Sequence, residues 1–159
     1  MRKILFIALA AVMVMPYGYG VLLTEHYAEV EEKTANELIV AATNGDLKEV
    51  KKIIKDNPDI IQTQYNRIGD AITAAIDKGH AKVVKYLVET KYADIHAIKV
   101  TATTDTGSAR RTVNNAKKEI ETLKAQAEGK PDVVKVLEKE QTRLEKLLNE
   151  INEKEETFG

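Results

Sequence analysis

The chain has 159 residues, enough for about one domain. Hydrophobic residues make up 43% of it, but aromatic residues only 5% and there is no Trp, so the core must use small aliphatic side chains, which suit closely packed helices. The absence of Cys excludes disulfides, thiolate catalysis and the usual structural zinc sites. A formal net charge of −1 gives no reason to expect a nucleic-acid partner or an anionic membrane surface.

Residues 1–20 have the three-part layout of a secretory signal peptide. Two basic residues precede an uncharged apolar run from Ile4 to Met15, and a proline and two glycines follow it. This order predicts cleavage after Gly20 and a mature protein that is periplasmic or secreted. An uncleaved inner-membrane anchor is the alternative, because the uncharged stretch extends to Leu23 and a spanning helix needs about 20 residues. Proline and glycine weaken a spanning helix, which favours cleavage.

An internal repeat follows a polar, Glu-rich lead-in over residues 21–35, which is predicted as a short helix or an extended segment. The pattern that begins at Asn36 returns 34 positions later, from Asp70. The matched pairs are Asn36 and Asp70, Leu38 and Ile72, Ala41 and Ala75, Gly45 and Gly79, Val50 and Val84, Ile53 and Leu87, and Ile54 and Val88. Each copy predicts two short helices, which cannot bury both their faces alone, so the copies are expected to stack.

Local signals predict where these helices begin and end. Asn36 is expected to cap the first helix, Gly45 to end it, and Asp46 to cap the second. Pro58 ends the second helix because proline has no backbone donor and disfavours a helical residue before it. The second copy has similar signals: Asp70 is its expected cap, and Gly79 is expected to end its first helix.

The connection between the copies, residues 57–69, helps to identify the type of repeat. Residues 60–65 are predicted to be extended and to turn at Asn66 and Arg67, which is longer than the tight turns that join tetratricopeptide units. The segments NELIVAATNGDLKEVKKII and DAITAAIDKGHAKVVKYLV resemble ankyrin repeats, in which a helical hairpin leads to a projecting finger. The resemblance implies two ankyrin-like repeats over residues 36–98, within an all-α helical repeat stack. It also implies that His80 ties its turn.

This sequence departs from the ankyrin pattern at several positions. Asn36 and Asp70 replace the usual threonine of the first helix, and the histidine of that helix is Ile39 in one copy and Thr73 in the other. The His after the glycine is present in the second copy but is Asp46 in the first. Such drift is ordinary in outer repeats.

Residues 99–159 are predicted to form a long Thr-rich loop and a C-terminal helical hairpin. The first helix covers residues 109–128 and the second begins at Pro131, which suits a first helical position. The segment GKPDVVKVLEK echoes both copies, with Gly129 in the place of their glycines, so the hairpin is interpreted as a modified third repeat with elongated helices. Its expected role is to cap the stack. The alternative is an exposed coiled-coil seam, although the near-heptad spacing is short for one.

Motifs for catalysis are missing from the sequence. The three histidines, His26, His80 and His96, have no metal-ligand spacing, and the single serine, Ser108, lacks a G-x-S-x-G context. The eight glycines are dispersed and form no phosphate-binding loop. We therefore expect no enzyme activity, cofactor, metal or small-molecule substrate.

In ankyrin-like stacks, the fingers and the first helices line a concave face that binds proteins. By position, the first finger would present Tyr65, Asn66 and Arg67, and the second would present His96 and Lys99. Tyr and Arg are enriched at binding hot spots. The favoured function is an exported module that binds a protein partner through this face. The alternative is an assembly protein that self-associates through its C-terminal helical pair, with a membrane contact only if the leader is retained.

Overall fold

The computed structural model describes residues 32–61, 67–101 and 103–158. These residues are helical with irregular connections and contain no strand, so the predicted all-α class is confirmed. The predicted signal peptide and most of the predicted lead-in lie outside the described residues, as do Tyr65 and Asn66.

Three helical hairpins make up the described chain. The helices are α1 over residues 32–43, α2 over Leu47–Asp56, α3 over Arg67–Asp77, α4 over Ala81–Lys91, the one-turn α5 over Ala93–His96, α6 over Thr106–Gln126 and α7 over Pro131–Phe158. The hairpins are α1 with α2, α3 with α4, and α6 with α7. The middle hairpin contacts both others, because α4 packs against α2 and α7, and α3 packs against α6. Buried aliphatic residues of all three hairpins form one core.

Each hairpin turns at a glycine with positive φ, namely Gly45 at 72°, Gly79 at 75° and Gly129 at 80°. Residues with an L side chain rarely adopt this conformation. The backbone at the three turns therefore explains why all three segments have glycine at this position. The first two turns are closed by the same pair of hydrogen bonds: Gly45 N–H donates to Ala42 O and Asp46 N–H to Ala41 O, and the second turn repeats this pattern. The third turn differs, with Lys130 N–H donating to Ala127 O at 3.0 Å.

The two predicted first-helix caps are wrong. Asn36 lies inside α1 and Asp70 in the first turn of α3, because both helices begin earlier along the chain. Ala35 and Ile68 are each 1% exposed, so the buried stripe of each helix extends beyond the expected cap. The cap at Asp46 is confirmed, since its Oδ1 accepts from Glu49 N–H at 2.9 Å.

The segment after α2 is not extended, as far as it is described. The helix ends at Asp56, before Pro58 as predicted, but Pro58–Ile61 then forms a 3-10 turn in which Ile60 is 6% exposed. Burial of this apolar side chain favours a turn over the predicted strand-like finger. Arg67 begins α3 and is not a turn residue, which corrects its predicted position.

The last hairpin has longer helices than the other two, as predicted. Asp105 caps α6 by accepting from Ser108 N–H at 3.1 Å, and Pro131 is the first residue of α7. The apolar stripes of both helices are buried: Val113, Ala116, Ile120, Leu123 and Ala127, followed by Val133, Leu137, Leu144 and Ile151. The chain itself covers these residues, so they cannot form an exposed seam. Val134, Leu147 and Leu148 of the same pattern are only partly buried, and for them the alternative stays a prediction.

Candidate functional site

The structure describes three of the five residues predicted to contact a partner. Arg67 has a side chain that is 32% exposed, with Nη1 3.7 Å from Oδ2 of Asp70. Lys99 is exposed in the segment after α5, where its carbonyl accepts a hydrogen bond from the Thr104 hydroxyl at 3.0 Å. Lys99 is thus exposed and Arg67 partly exposed, and their roles as contacts stay predictions.

His96 is not a surface residue, so its predicted role on a finger is wrong. Its side chain is 8% exposed, and Nε2 donates to Oε1 of Glu140 at 2.5 Å. The cause is local, because residues 93–96 form the helical turn α5 directly after α4, and this turn directs the imidazole towards α7. Glu140 is itself 5% exposed, so the pair is buried.

A second, partly buried contact lies next to this pair. Tyr92, 4% exposed, donates its hydroxyl to Oε2 of Glu119 at 2.8 Å, and Lys91 forms an ion pair with the other oxygen of that carboxylate. We call the five residues Lys91, Tyr92, His96, Glu119 and Glu140 the polar junction, since they link the middle hairpin and α5 to α6 and α7. Burial raises the pKa of the Tyr92 phenol, and the carboxylate of Glu119 raises it further. Tyr92 is therefore a hydrogen-bond donor at neutral pH.

The polar junction has the chemistry of a structural link. Every buried side-chain nitrogen and oxygen of the described residues has a hydrogen-bond partner. No group of three His, Asp or Glu residues within the described ranges could hold a metal ion. One sequence signal could have revealed the junction: Glu140 falls between Leu137 and Leu144 at helical spacing, so an acidic residue interrupts an apolar stripe.

His80 links the first two hairpins. Its Nε2 lies 3.0 Å from the carbonyl oxygen of Thr43, which can only accept, so Nε2 carries the proton. The ring lies against Gly45, where an added Cβ would come within 2.6 Å of Nδ1. His80 thus ties the turn of the preceding hairpin, and Gly45 provides the space for it.

Two surface grooves differ in charge: acidic residues predominate in one, and basic residues slightly outnumber acidic ones in the other. The edge groove, about 730 Å³, lies on α1 and α2; its charged lining residues are Glu32, Lys33, Glu37, Asp46 and Glu49. The basic groove, about 200 Å³, lies between α4 and α7; its charged lining residues are Lys85, Glu89, Asp132, Lys135, Lys139, Glu140 and Arg143. Sequence reasoning found neither groove, because each combines residues from two helices.

No protein-family model, curated protein or solved structure matches this chain. Its function must therefore be inferred from its own residues and their contacts. Within the described ranges, no helix is both long and apolar enough to cross a membrane.

Proposed function

We propose that the chain is an exported helical-repeat module that binds a protein partner. One observation carries the proposal: each of the three hairpins turns at a glycine with positive φ, and all three pack on a shared core. Such stacks expose long surfaces whose side chains are free to vary, since the residues that hold the units together are buried. The fully paired polar junction supports binding over catalysis, because its groups are already occupied by one another.

The proposed architecture is an ankyrin-like stack of two regular units and a third with elongated helices. The positive-φ glycines at the three turns, Gly45, Gly79 and Gly129, support it, as does the packing of the middle hairpin against the other two. The short 3-10 turn after α2 departs from a full finger. In this proposal, the leader over residues 1–20 directs the chain to the periplasm or the exterior.

The proposed binding face comprises the first helices of the hairpins and the segments that follow the second helices. Tyr65, Asn66, Arg67 and Lys99 are its candidate contacts, and His96 is excluded because it is buried. The partner is a protein whose identity the chain does not reveal. Nucleic acid, small-molecule substrates and cofactors have no role in this proposal.

The test compares two double variants as baits for extracts of the source organism. Tyr65→Ala combined with Arg67→Ala should lose the protein that the parent chain captures. Lys52→Ala combined with Lys55→Ala, on the exposed face of α2, should retain it. Retention by both variants would exclude the proposed face. The intact mass of the exported protein tests the leader, because loss of residues 1–20 rules out a retained anchor.

Self-association through the C-terminal helical pair is the second candidate. Most of the apolar seam that motivated it is buried within the chain, so any such contact must use the partly buried residues of the seam or another surface of α6 or α7. The basic groove on α7 is one such surface.

A further inference from the structure

The basic groove has a cationic wall on one face of α7. Lys135, Lys139 and Arg143 are spaced four residues apart, so they lie on successive turns of the helix. Within the described part of the chain, none of the three forms an ion pair. Like charges at this spacing repel one another, so an anionic partner bound along the wall would relieve this repulsion.

Two of the three acidic residues of the basic groove already have a partner. The Glu140 carboxylate is occupied by His96, and Glu89 lies 3.9 Å from Lys85 on its own helix. Asp132 lies at the start of α7, in its first turn. The groove is also lined by Val136, which is partly buried, so a partner can meet one apolar side chain beside the cationic groups; Val88 lies beneath the groove and is 1% exposed.

The edge groove has the complementary character. Four of its five charged residues are acidic, and Glu32 and Glu37 are exposed on α1. Val40, in the same groove, is 58% exposed, which is unusual for a large aliphatic side chain in this protein. The acidic groups beside the exposed Val40 are complementary to the cationic groups beside the partly buried Val136.

From this complementarity, we propose that the edge groove of one copy docks on the basic groove of a second copy, in a head-to-tail contact. This goes beyond binding of a partner and rests on the second candidate function, self-association, to which it gives two definite surfaces; Arg67 of the proposed binding face lines neither of them. Pairing two identical grooves would place like charges together, whereas pairing the two different grooves places opposite charges together. The contact joins different surfaces of the two copies, so it leaves one groove free at each end and can extend to a chain of subunits.

The test measures association by sedimentation velocity over a range of protein concentrations at low salt. The parent should form species larger than a monomer, and added salt should weaken them because it screens exposed charges. A groove variant, Lys139→Glu with Arg143→Glu, and an edge variant, Glu32→Lys with Glu37→Lys, should each shift association to more than about tenfold higher concentration. A parent that stays monomeric at every concentration at low salt would overturn the proposal.

Mixing the variants provides the decisive measurement. The groove variant has two acidic grooves and the edge variant has two basic ones, so each alone should be monomeric and the mixture should associate again. The matched control is Arg111→Glu with Lys118→Glu on exposed positions of α6, which changes the net charge as the groove variant does and should associate like the parent. A mixture that stays monomeric, or a control that dissociates with the groove variant, would refute a contact between these grooves.

Discussion

The two junctions between the three hairpins are built differently. The first junction is compact, with the imidazole of His80 against the backbone of Gly45 and one hydrogen bond to Thr43. The second is the polar junction, in which charged and hydroxyl groups from four helices pair with one another. At the glycine itself the second junction is loose, because Lys130 is the nearest group to an added Cβ on Gly79, at 3.9 Å. Neighbouring hairpins are therefore joined in two ways: by close packing at the first junction and by charged and polar pairs at the second.

The largest expected difference comes from two matched glycine substitutions. Gly129→Ala meets no atom within 4 Å, so its cost should be the left-handed backbone alone, about 1–2 kcal/mol. Gly45→Ala pays the same backbone cost and also forces its Cβ against His80, which should add about 1–3 kcal/mol. Urea unfolding followed by circular dichroism measures both.

A double variant isolates the steric part of that difference. In a His80→Ala background, Gly45→Ala should cost no more than Gly129→Ala does in the parent. Equal losses for the two single variants would show that the His80 ring moves aside freely, and the contrast between the junctions would then disappear.

The second prediction removes one acid from the polar junction. Glu140→Ala leaves the buried His96 ring without its acceptor, and the free energy of unfolding should fall by about 1–3 kcal/mol. Glu140→Gln keeps an acceptor oxygen and should lose less. The control is Glu138→Ala, whose side chain is 57% exposed and should change stability by under about 1 kcal/mol. If the two alanine variants are equally stable, the contact between Glu140 and His96 does not stabilise the fold.

The smallest effect is a pH dependence caused by Tyr92. Burial and Glu119 raise the pKa of its phenol in the folded state above the usual value of about 10. The protonated phenol therefore stabilises the fold fully below that value, and this contribution is lost as pH rises above about 10. Urea midpoints between pH 8 and about 11 should fall more steeply for the parent than for Tyr92→Phe.

A tyrosine outside the polar junction serves as the control. Tyr86→Phe removes a hydroxyl from α4 without touching Glu119 and should keep the slope of the parent. If Tyr92→Phe also follows the parent slope, the phenol does not contribute to the alkaline loss of stability.

Local signals predicted the parts of the fold that depend on a few adjacent residues. Gly45, Gly79, Asp46 and Pro131 were placed correctly because a positive φ, a side-chain acceptor or a missing backbone donor acts within one turn. Asn36 was misplaced because a good capping residue also fits inside a helix when the apolar stripe continues before it.

The candidate contacts were harder to predict than the fold. His96 was assigned to an exposed finger from its position in an ankyrin-like unit, yet its partner Glu140 lies 44 positions away. Arg67 was assigned to a turn and lies at the start of α3. Both errors concern the segments between hairpins, where side-chain positions depend on which helix packs nearby.

The sequence by itself determined the helical class, the repeat and its turns, because helical periodicity and backbone conformation are encoded within a few residues. Only the tertiary structure decided how the charges are distributed. A net charge of −1 gave no reason to expect a nucleic-acid partner or an anionic membrane surface, but packing α4 beside α7 gathers cations in one groove, and α1 with α2 gathers acids in another. Net charge sums over the chain, whereas binding depends on the charges that neighbouring helices bring together.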